Sequence, residues 1–352
     1  MTAPDGTTTA PPATLAPDAT LAALEHGTVV RWWQTTSFLR VAGPEAATLL
    51  DGLCTQAVER IEPGHAVLGL FLDAKAKLIA PATLHRLADE SWPDPRTAQS
   101  HPDAPALLLE TLPELVEPLR AHLAKYRLRA KVAIEPVERS TVALVGSGLR
   151  DDPASPDWTV VADQPHPTHA FIGSADACAE VVRSATAGDA PLADPDALEA
   201  ARIDAGVPGL HDLLPGRMPA EIGGMRSAVA LDAGCYLGQE PVARLHYRGH
   251  ANRTLRRLRA DGDVAPATAP LDEDGQPDLD AALALRRPDD AADARPVGRL
   301  TTWARHPDGG TVALAVLRRE VAAGEPLRLA GTDVALAPLD DADTDADPYA
   351  DA

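Results

Sequence analysis

Apolar residues in the first half of the chain follow two spacings that alternate along the sequence. Short apolar and β-branched runs, bounded by glycine, proline or charged residues, predict strands at residues 38–42, 66–72, 78–87, 106–110, 128–134, 141–145 and 158–162. Leu115, Leu119 and Leu123 recur every four residues, which is typical of a helix, so residues 113–125 are predicted to be helical.

Three further helices are predicted. Pro44 and Glu45 suit the first turn of a helix over residues 44–56, because proline fits that turn and an acid favours its positive end. Residues 176–183 have helical character, and Asp194 suits the N-cap of a helix that stops at Gly206. This mixture of strands and helices predicts an α+β fold.

The pattern changes to strand-like runs in the last third of the chain. Residues 242–247, 254–259, 297–303, 311–317, 327–329 and 334–337 predict strands with few helices between them, which favours a small antiparallel β-barrel. Residues 89–105 hold four prolines and are predicted to be an exposed loop.

These patterns divide the chain into five segments. Residues 1–25 are predicted to be a disordered N-terminal segment, 26–135 a first α+β domain, and 136–240 a second one. Residues 241–338 are predicted to form the barrel, interrupted by an insert at 261–293 that carries ten acidic residues. Residues 339–352 form an acidic tail.

Charge narrows the function classes. The 352-residue chain has 32 basic and 52 acidic residues, a formal net charge of −20, which argues against general affinity for nucleic acid or anionic membranes. The first residues lack the basic and apolar parts of a signal peptide, and no apolar run reaches the length of a membrane helix. We therefore expect a cytoplasmic protein without a membrane partner.

Three cysteines are far apart, which disfavours a disulfide framework, and no ligand spacing predicts a metal site. Cys54 and Cys178 have apolar surroundings in the sequence and are predicted to pack in cores, and the histidines are interpreted as structural or surface residues. Cys235 differs because it lies in Gly234-Cys235-Tyr236-Leu237-Gly238-Gln239-Glu240. Glycine allows a ligand to approach the backbone, and an ionised cysteine is a nucleophile and a soft metal ligand.

Other residues of the motif suit a heterocyclic ligand. Tyr236 offers a face for stacking, and the carboxylate of Glu240 can accept paired N–H donors. Glu221, in the turn-rich Pro219-Ala220-Glu221, is a second candidate carboxylate. The alternative interpretation of the motif is an interdomain turn with a buried cysteine, and of Glu221 a surface residue.

A strip of six arginines and no acid follows the motif, over residues 244–259. Lys125-Tyr126-Arg127-Leu128-Arg129-Ala130-Lys131 is a second basic segment. Such strips suit a polyanion, either a polyglutamate tail or an RNA backbone, and equally suit solvated strand faces paired with acids elsewhere.

Together these segments resemble the YgfZ family of folate-binding proteins, which is related to the glycine-cleavage T protein. The family hallmark is Lys-Gly-Cys-Tyr-x-Gly-Gln-Glu, which this chain matches except for Ala233 at the lysine position. Residues 202–208, 219–221, 126–132, 73–77 and 297–301 are also similar to family segments.

The resemblance implies an aminomethyltransferase-like multi-domain ring around a central folate channel, with a C-terminal antiparallel β-barrel. It implies tetrahydrofolate as cofactor, and a role in assembling or repairing iron–sulfur proteins, including those that modify tRNA. Cys235 is then the candidate catalytic thiol, and the candidate cofactor-binding residues are Glu221, Tyr236, Gln239, Glu240, Arg244 and Arg253. Iron–sulfur proteins or their assembly machinery are the expected protein partners, with a tRNA contact through the arginine strip.

Two other functions stay open. A folate-dependent aminomethyltransferase or demethylase would need the carboxylate that T proteins carry after an early apolar segment, where this chain has Ala80 and Pro81, so whether it is an enzyme is undecided. A non-catalytic RNA- or protein-binding module would use the arginine strip alone.

Overall fold

The computed structural model describes residues 14–32, 36–87, 106–149, 157–223, 225, 228–264, 278–291, 294–329 and 335–339. The predicted loop 89–105 and nearly all of the acidic tail lie outside these residues, as do the first thirteen residues and part of the acidic insert.

Nine strands form one mixed sheet that takes residues from both predicted α+β domains. They are β1 (Val29–Arg31), β2 (Ser37–Ala42), β3 (His65–Leu72), β4 (Leu78–Arg86), β5 (Ala106–Thr111), β6 (Ala133–Val137), β7 (Ser140–Val145), β8 (Trp158–Val161) and β9 (Thr168–Gly173). Their order is β1-β7-β9-β8-β3-β4-β5-β2-β6. The parallel pairing of β3 with β8, with His65 opposite Val160, joins the two halves.

Seven α-helices accompany the strands in the described part of the chain. They are α1 (Pro17–His26), α2 (Ala46–Asp51), α3 (Val116–Arg127), α4 (Ala175–Ala187), α5 (Pro195–Asp204), α6 (Gln239–Arg248) and α7 (Leu279–Ala282). Leu50, Leu119 and Leu123 bring α2 and α3 onto the core beneath β2–β5. The predicted N-cap is confirmed, because the Asp194 carboxylate accepts a 2.9 Å hydrogen bond from the backbone N–H of Ala197.

The predicted C-terminal barrel is confirmed. Its described strands are β10 (Arg253–Ala260), β11 (Ala284–Arg286), β12 (Gly298–Arg305), β13 (Thr311–Arg318), β14 (Leu327–Leu329) and β15 (Ala335–Pro338). They form a closed barrel in the order β10-β13-β12-β11-β14-β15. Leu258, Leu285, Leu300 and Leu317 are buried inside it. Helix α5 packs against β12 and β13. Leu70 and Leu72 of β3 share a buried cluster with Val316 of β13, so the sheet and the barrel have a common interface.

Two segment predictions are wrong where the structure describes them. Residues 17–25, predicted to be disordered, belong to α1, because Thr20 and Leu24 lie one turn apart and are both buried. Residues 284–286, predicted to lie in a solvated insert, form β11, because Leu285 fills the barrel core. Neither segment is apolar enough for its structure to be predicted from its own sequence, without the partner that it packs against.

Two strand predictions are wrong as well. Residues 242–247 belong to helix α6, whose buried residue is Val242, and their short alternation of apolar and polar residues did not distinguish a helix from a strand. Residues 128–132 precede β6 rather than belonging to it, because Leu128 has a φ of +44° that no strand residue adopts.

Candidate functional site

The loop that carries Cys235 is fixed to the end of α2. The backbone N–H of Ala230 donates to the carbonyl of Thr55 at 2.8 Å, and that of Leu237 donates to Gly52 at 3.1 Å. The Thr55 hydroxyl donates to the Ala228 carbonyl and accepts from the Leu70 N–H at 2.9 Å. These hydrogen bonds connect the loop both to the end of α2 and to β3, and so they hold its backbone in place.

Gly238 and Tyr236, two residues of the motif, stabilise the structure of the loop. Gly238 precedes α6 with a φ of +85°, and a Cβ there would lie 2.6 Å from the carbonyl oxygen of Asp73, so only glycine fits. Tyr236 is buried among Leu70, Leu72 and Val242, and burial raises its pKa to about 12. Tyr236 therefore anchors the loop from below.

Cys235, directly before Tyr236, remains exposed. The other two cysteines are fully buried, and burial raises the pKa of Cys54 to about 12 and that of Cys178 to about 11. Core packing of Cys54 and Cys178 is confirmed. The loop thus presents one accessible thiol on a rigid support.

The remaining predicted residues of the motif lie at the start of α6. The Gln239 side-chain amide donates to the Gly234 carbonyl at 3.3 Å. Glu240 and Arg244 are exposed and form an i,i+4 ion pair at 2.6 Å. Arg244 is the candidate replacement for the lysine missing at Ala233, but its guanidinium is engaged by Glu240.

Glu221 lies apart from the motif, in the turn that precedes the loop. Its carboxylate caps that turn by accepting from the Met218 N–H at 2.9 Å and pairs with the Lys77 ammonium at 3.4 Å. Its side chain is only 14% exposed, so it is not the surface residue of the alternative interpretation. Arg253 is close enough to Glu221 for the carboxylate to raise the pKa of Arg253. Burial and three neighbouring arginines have larger effects, and they lower that pKa.

A cavity of about 590 Å³ lies where the sheet, α5 and the barrel meet. Its walls come from the sheet, from α5 with the following loop, and from β12, through residues that include Leu68, Glu110, Thr141, Glu199, Arg202 and Thr302. None of the seven predicted site residues is among the described residues that line this cavity.

The cavity wall holds a buried carboxylate that the sequence analysis missed. Glu110 Oε2 is 3.1 Å from His85 Nε2, while Oε1 accepts from the hydroxyls of Thr36 at 2.6 Å and Thr141 at 3.0 Å. Burial alone would raise the pKa of Glu110, but the hydrogen bond and charge of His85 and the two hydroxyls together hold that pKa below its ordinary value. Glu110 is therefore an anion at neutral pH inside the cavity.

Cations flank this carboxylate. Burial lowers the pKa of Arg31, and Glu110 opposes that effect, so the two charges interact across the cavity wall. On the α5 side, the Arg202 guanidinium donates to Glu199, to Asp212 at 2.8 Å and to the Thr302 hydroxyl at 3.0 Å. The cavity thus offers charges of both signs around apolar patches.

One signal in the sequence could have identified the pair at the cavity wall. Glu110 ends the apolar run of strand β5, and His85 interrupts that of β4. Polar residues inside otherwise apolar strands are unusual in a core and are paired when they occur. The cross-strand pairing that brings them together is not visible in one sequence.

The described residues include neither a group of metal ligands nor a membrane-spanning helix. Among them, no three histidine, cysteine or acidic side chains are grouped so as to hold a metal ion. None of the helices in this part of the chain has both the length and the apolar character to cross a membrane.

Curated proteins of two kinds are similar to the chain. It is 28% identical over 268 residues to the human mitochondrial iron–sulfur cluster assembly factor IBA57, covering 68% of this chain and 70% of that protein. It is 27% identical over 246 residues to the mouse IBA57, covering 65% of each. It is 25% identical over 245 residues to the tRNA-modifying protein YgfZ of Escherichia coli O157:H7, covering 64% of this chain and 70% of YgfZ.

The chain is a homologue of IBA57 and YgfZ. The resemblance inferred from the cysteine motif is thereby confirmed, although no protein-family model matches the chain. The match covers just under two thirds of the mouse IBA57. The names of the mouse and human relatives place them in mitochondria, and a cytoplasmic location for this chain stays a prediction.

The fold is that of the aminomethyltransferases. The glycine cleavage system aminomethyltransferase T of Bartonella henselae superposes with a TM-score of 0.64 at 15% identity, covering 96% of this chain and 90% of that structure. The predicted fold class is confirmed by this likeness, which at such low identity concerns the fold alone.

Proposed function

We propose that this chain is a tetrahydrofolate-binding accessory protein that supports iron–sulfur cluster assembly or repair and, through it, tRNA-modifying enzymes. Two homologues named for cluster assembly and for tRNA modification support this role. The observation that carries the folate assignment is the cavity with the Glu110 carboxylate in its wall.

The cavity residues fit a reduced folate. A volume of about 590 Å³ lies within the range of roughly 300–1,000 Å³ that small-molecule sites occupy. A reduced pterin presents adjacent N–H and amino donors, which an ionised carboxylate accepts well, and Glu110 keeps acceptor capacity beyond its three present donors. Arg31 supplies positive charge for the carboxylates of the glutamate moiety, whereas the Arg202 guanidinium is already paired with Glu199 and Asp212.

Cys235 then acts outside the cavity. The thiol is exposed on the loop, one residue before the buried Tyr236, and Cys235 is not among the described residues that line the cavity. We propose that Cys235 meets the client protein or its cluster at the surface, while folate occupies the interior. The folate contacts expected from the sequence stay predictions, since none of these residues is among the described residues that line the cavity. They are Glu221, Tyr236, Gln239, Glu240, Arg244 and Arg253.

Calorimetry with tetrahydrofolate tests the folate assignment. Glu110→Gln keeps the shape and removes the charge, and because a hydrogen bond to a charged group contributes about 1.5–3 kcal/mol, affinity should fall roughly 10- to 100-fold. Leu68→Trp, which fills the cavity by volume, should abolish binding. Glu117→Gln, on the exposed face of α3, should bind as the wild type does. Unchanged binding by both cavity variants would overturn the assignment.

Complementation tests the role of the thiol. In cells that lack this protein and depend on an iron–sulfur enzyme, Cys235→Ala should fail to restore that enzyme's activity, while Cys235→Ala protein should still bind tetrahydrofolate in vitro. Full rescue by Cys235→Ala would remove the thiol from the mechanism.

A folate-dependent aminomethyltransferase or demethylase is the alternative. The two positions where T proteins carry the acid are Ala80 and Pro81, and neither side chain has a carboxylate. Ala80 is fully buried in β4, and the Pro81 carbonyl accepts a hydrogen bond from the Thr111 hydroxyl at 2.6 Å. Transfer of a methylene group from an aminomethyl donor to tetrahydrofolate by the purified protein would support this alternative.

The tRNA contact through residues 244–259 also stays a prediction. The structure divides the strip between α6 and β10, and the guanidiniums of Arg256 and Arg257 donate to the backbone carbonyls of Val321 and Asp204, both at 2.5 Å. A filter-binding titration with tRNA across salt concentrations tests it, because phosphate contacts make binding steeply salt-dependent. Absence of retention at low ionic strength would exclude the contact.

A further inference from the structure

Four arginines from four separate segments converge at one end of the barrel, away from the described walls of the cavity. Arg253 begins β10 and Arg318 ends β13, and the register places them directly opposite each other. Directly opposed residues of antiparallel strands project from the same face, so these two guanidiniums share one face. Like charges in this arrangement are destabilising without a counterion.

The other two arginines are placed by backbone hydrogen bonds. The Arg318 N–H donates to the Val297 carbonyl at 2.8 Å, which brings the segment that contains Arg295 alongside β13. The Leu78 N–H donates to the Arg217 carbonyl at 2.8 Å, which fixes Arg217 next to the β3–β4 hairpin and Lys77. Both residues are close enough to Arg253 for their charges to act on it.

The residues that the structure describes supply little negative charge to this cluster. Glu221 is the acid nearest by electrostatic effect, and it is already paired with Lys77 and the Met218 N–H. Arg318 has one long ion pair with Glu320, at 3.4 Å. The guanidinium groups of Arg217, Arg253 and Arg295 have no hydrogen-bond or ion-pair partner within the described residues.

The pKa of Arg253 agrees with this geometry. Burial has the largest effect and lowers this pKa, repulsion from Arg217, Arg318 and Arg295 lowers it further, and Glu221 acts in the opposite direction. The chain carries 52 acidic residues against 32 basic ones, so acids for pairing are abundant elsewhere. Among the described residues, this mutually repelling group of arginines is therefore a positive site that no acid balances.

We propose that Arg217, Arg253, Arg295 and Arg318 form a binding site for the diphosphate group of a small phosphorylated ligand. Guanidinium groups match phosphate oxygens in paired, planar hydrogen bonds. One phosphate group carries about −1.5 to −2 at neutral pH, so two phosphates balance the three arginines that lack described partners. The site is separate from the cavity, because none of the four arginines is among the described residues that line it.

Thermal unfolding with sodium pyrophosphate tests the site. A ligand that binds only the folded state raises Tm with its concentration, so pyrophosphate should raise the Tm of the wild type above that in sodium chloride of equal ionic strength. Arg253→Gln and Arg217→Gln should each remove most of this increase. Without pyrophosphate, Arg253→Gln should have an unchanged or higher Tm, because repulsion is relieved.

Arg129→Gln is the matched control, since Arg129 is an exposed arginine on the loop after α3, far from the cluster in sequence. It should keep the full response to pyrophosphate. An equal effect of sodium chloride and pyrophosphate on the wild type would overturn the proposal, as would a full response in both cluster variants.

Titration with a nucleoside diphosphate and with a short RNA identifies the source of the phosphates. Stabilisation by the nucleoside diphosphate that depends on Arg253 supports the small-ligand site. Stabilisation that depends on Arg253 and arises only with RNA overturns it in favour of a nucleic-acid surface. Loss of tetrahydrofolate binding in Glu110→Gln has no bearing on either result, so the two proposals fail separately.

Discussion

At the scale of single residues, the three cysteines differ in accessibility more than in chemistry. Cys235 is exposed, whereas Cys54 and Cys178 are fully buried and their pKa values are raised to about 12 and about 11. The thiolate is the reactive form, so buried thiols with high pKa values react slowly. We expect a disulfide reagent at pH 8 to modify one thiol rapidly in the native protein and all three after denaturation.

Cys235→Ser is the control for this measurement. It should lose the rapid phase and keep the two slow thiols, with the same unfolding temperature as the wild type. Rapid modification of two or more thiols in native Cys235→Ser would contradict the burial of Cys54 and Cys178.

The sequence pointed to Cys235 and missed Glu110 for a physical reason. The cysteine motif is contiguous, and its glycines have local causes, such as the positive φ and close backbone contact of Gly238. Glu110 depends on partners from three other segments, at His85, Thr36 and Thr141. Contacts between distant strands follow from register, which a single sequence does not reveal.

At the scale of elements, a buried polar network connects α5 to the barrel. Asp212 is fully buried and accepts from Arg202 at 2.8 Å, from Thr302 at 2.9 Å, from Thr301 and from the Gly209 N–H at 2.9 Å. Burial would lower the pKa of Arg202, but Asp212 and Glu199 reverse this and raise it. The network therefore holds the cavity's α5 wall against β12.

Asp212→Ala should destabilise the protein substantially. Removing one member of a buried ion pair leaves the other charge uncompensated, which costs about 3–5 kcal/mol in the free energy of unfolding. Arg202 retains Glu199, so we expect a loss near the lower end, measured by urea denaturation. Glu117→Gln breaks an exposed i,i+3 pair and should leave the midpoint unchanged, and a similar midpoint for both variants would contradict the role of the network.

Strands and helices were predicted correctly where the sequence pattern is long or a helix has a capping residue. They were predicted wrongly where packing against other elements determines the structure. Strands such as β2 and β13 and the Asp194-capped helix α5 follow from local pattern. Helix α6 reads as a strand because its arginine-rich sequence buries little beyond Val242. Strand β11 has three residues and exists through its pairing with β12 and β14.

At the scale of the whole molecule, the shared sheet explains why domain boundaries are hard to infer. Strand β1 comes early in the chain yet pairs with β7, in the second half of the sheet. Helix α1 also packs against α5 rather than standing apart as a terminal segment. The boundaries predicted at residues 135 and 240 therefore describe chain order, whereas hydrogen bonding makes the two α+β halves one sheet.

Net charge sets a further property of the whole molecule. A formal charge of −20 repels itself in the compact state, and added salt screens that repulsion, with a Debye length of about 10 Å at 0.1 M. We expect the Tm at pH 7.5 to rise between about 10 mM and about 0.2 M sodium chloride, and to change much less near the isoelectric point of about 4.8. Deleting residues 340–352 removes six aspartates and lowers the net negative charge from 20 to 14, so the shortened chain should respond less at pH 7.5. A Tm that is insensitive to salt in both chains would show that local pairs, such as Lys77–Glu221 and Arg202–Asp212, compensate the excess charge.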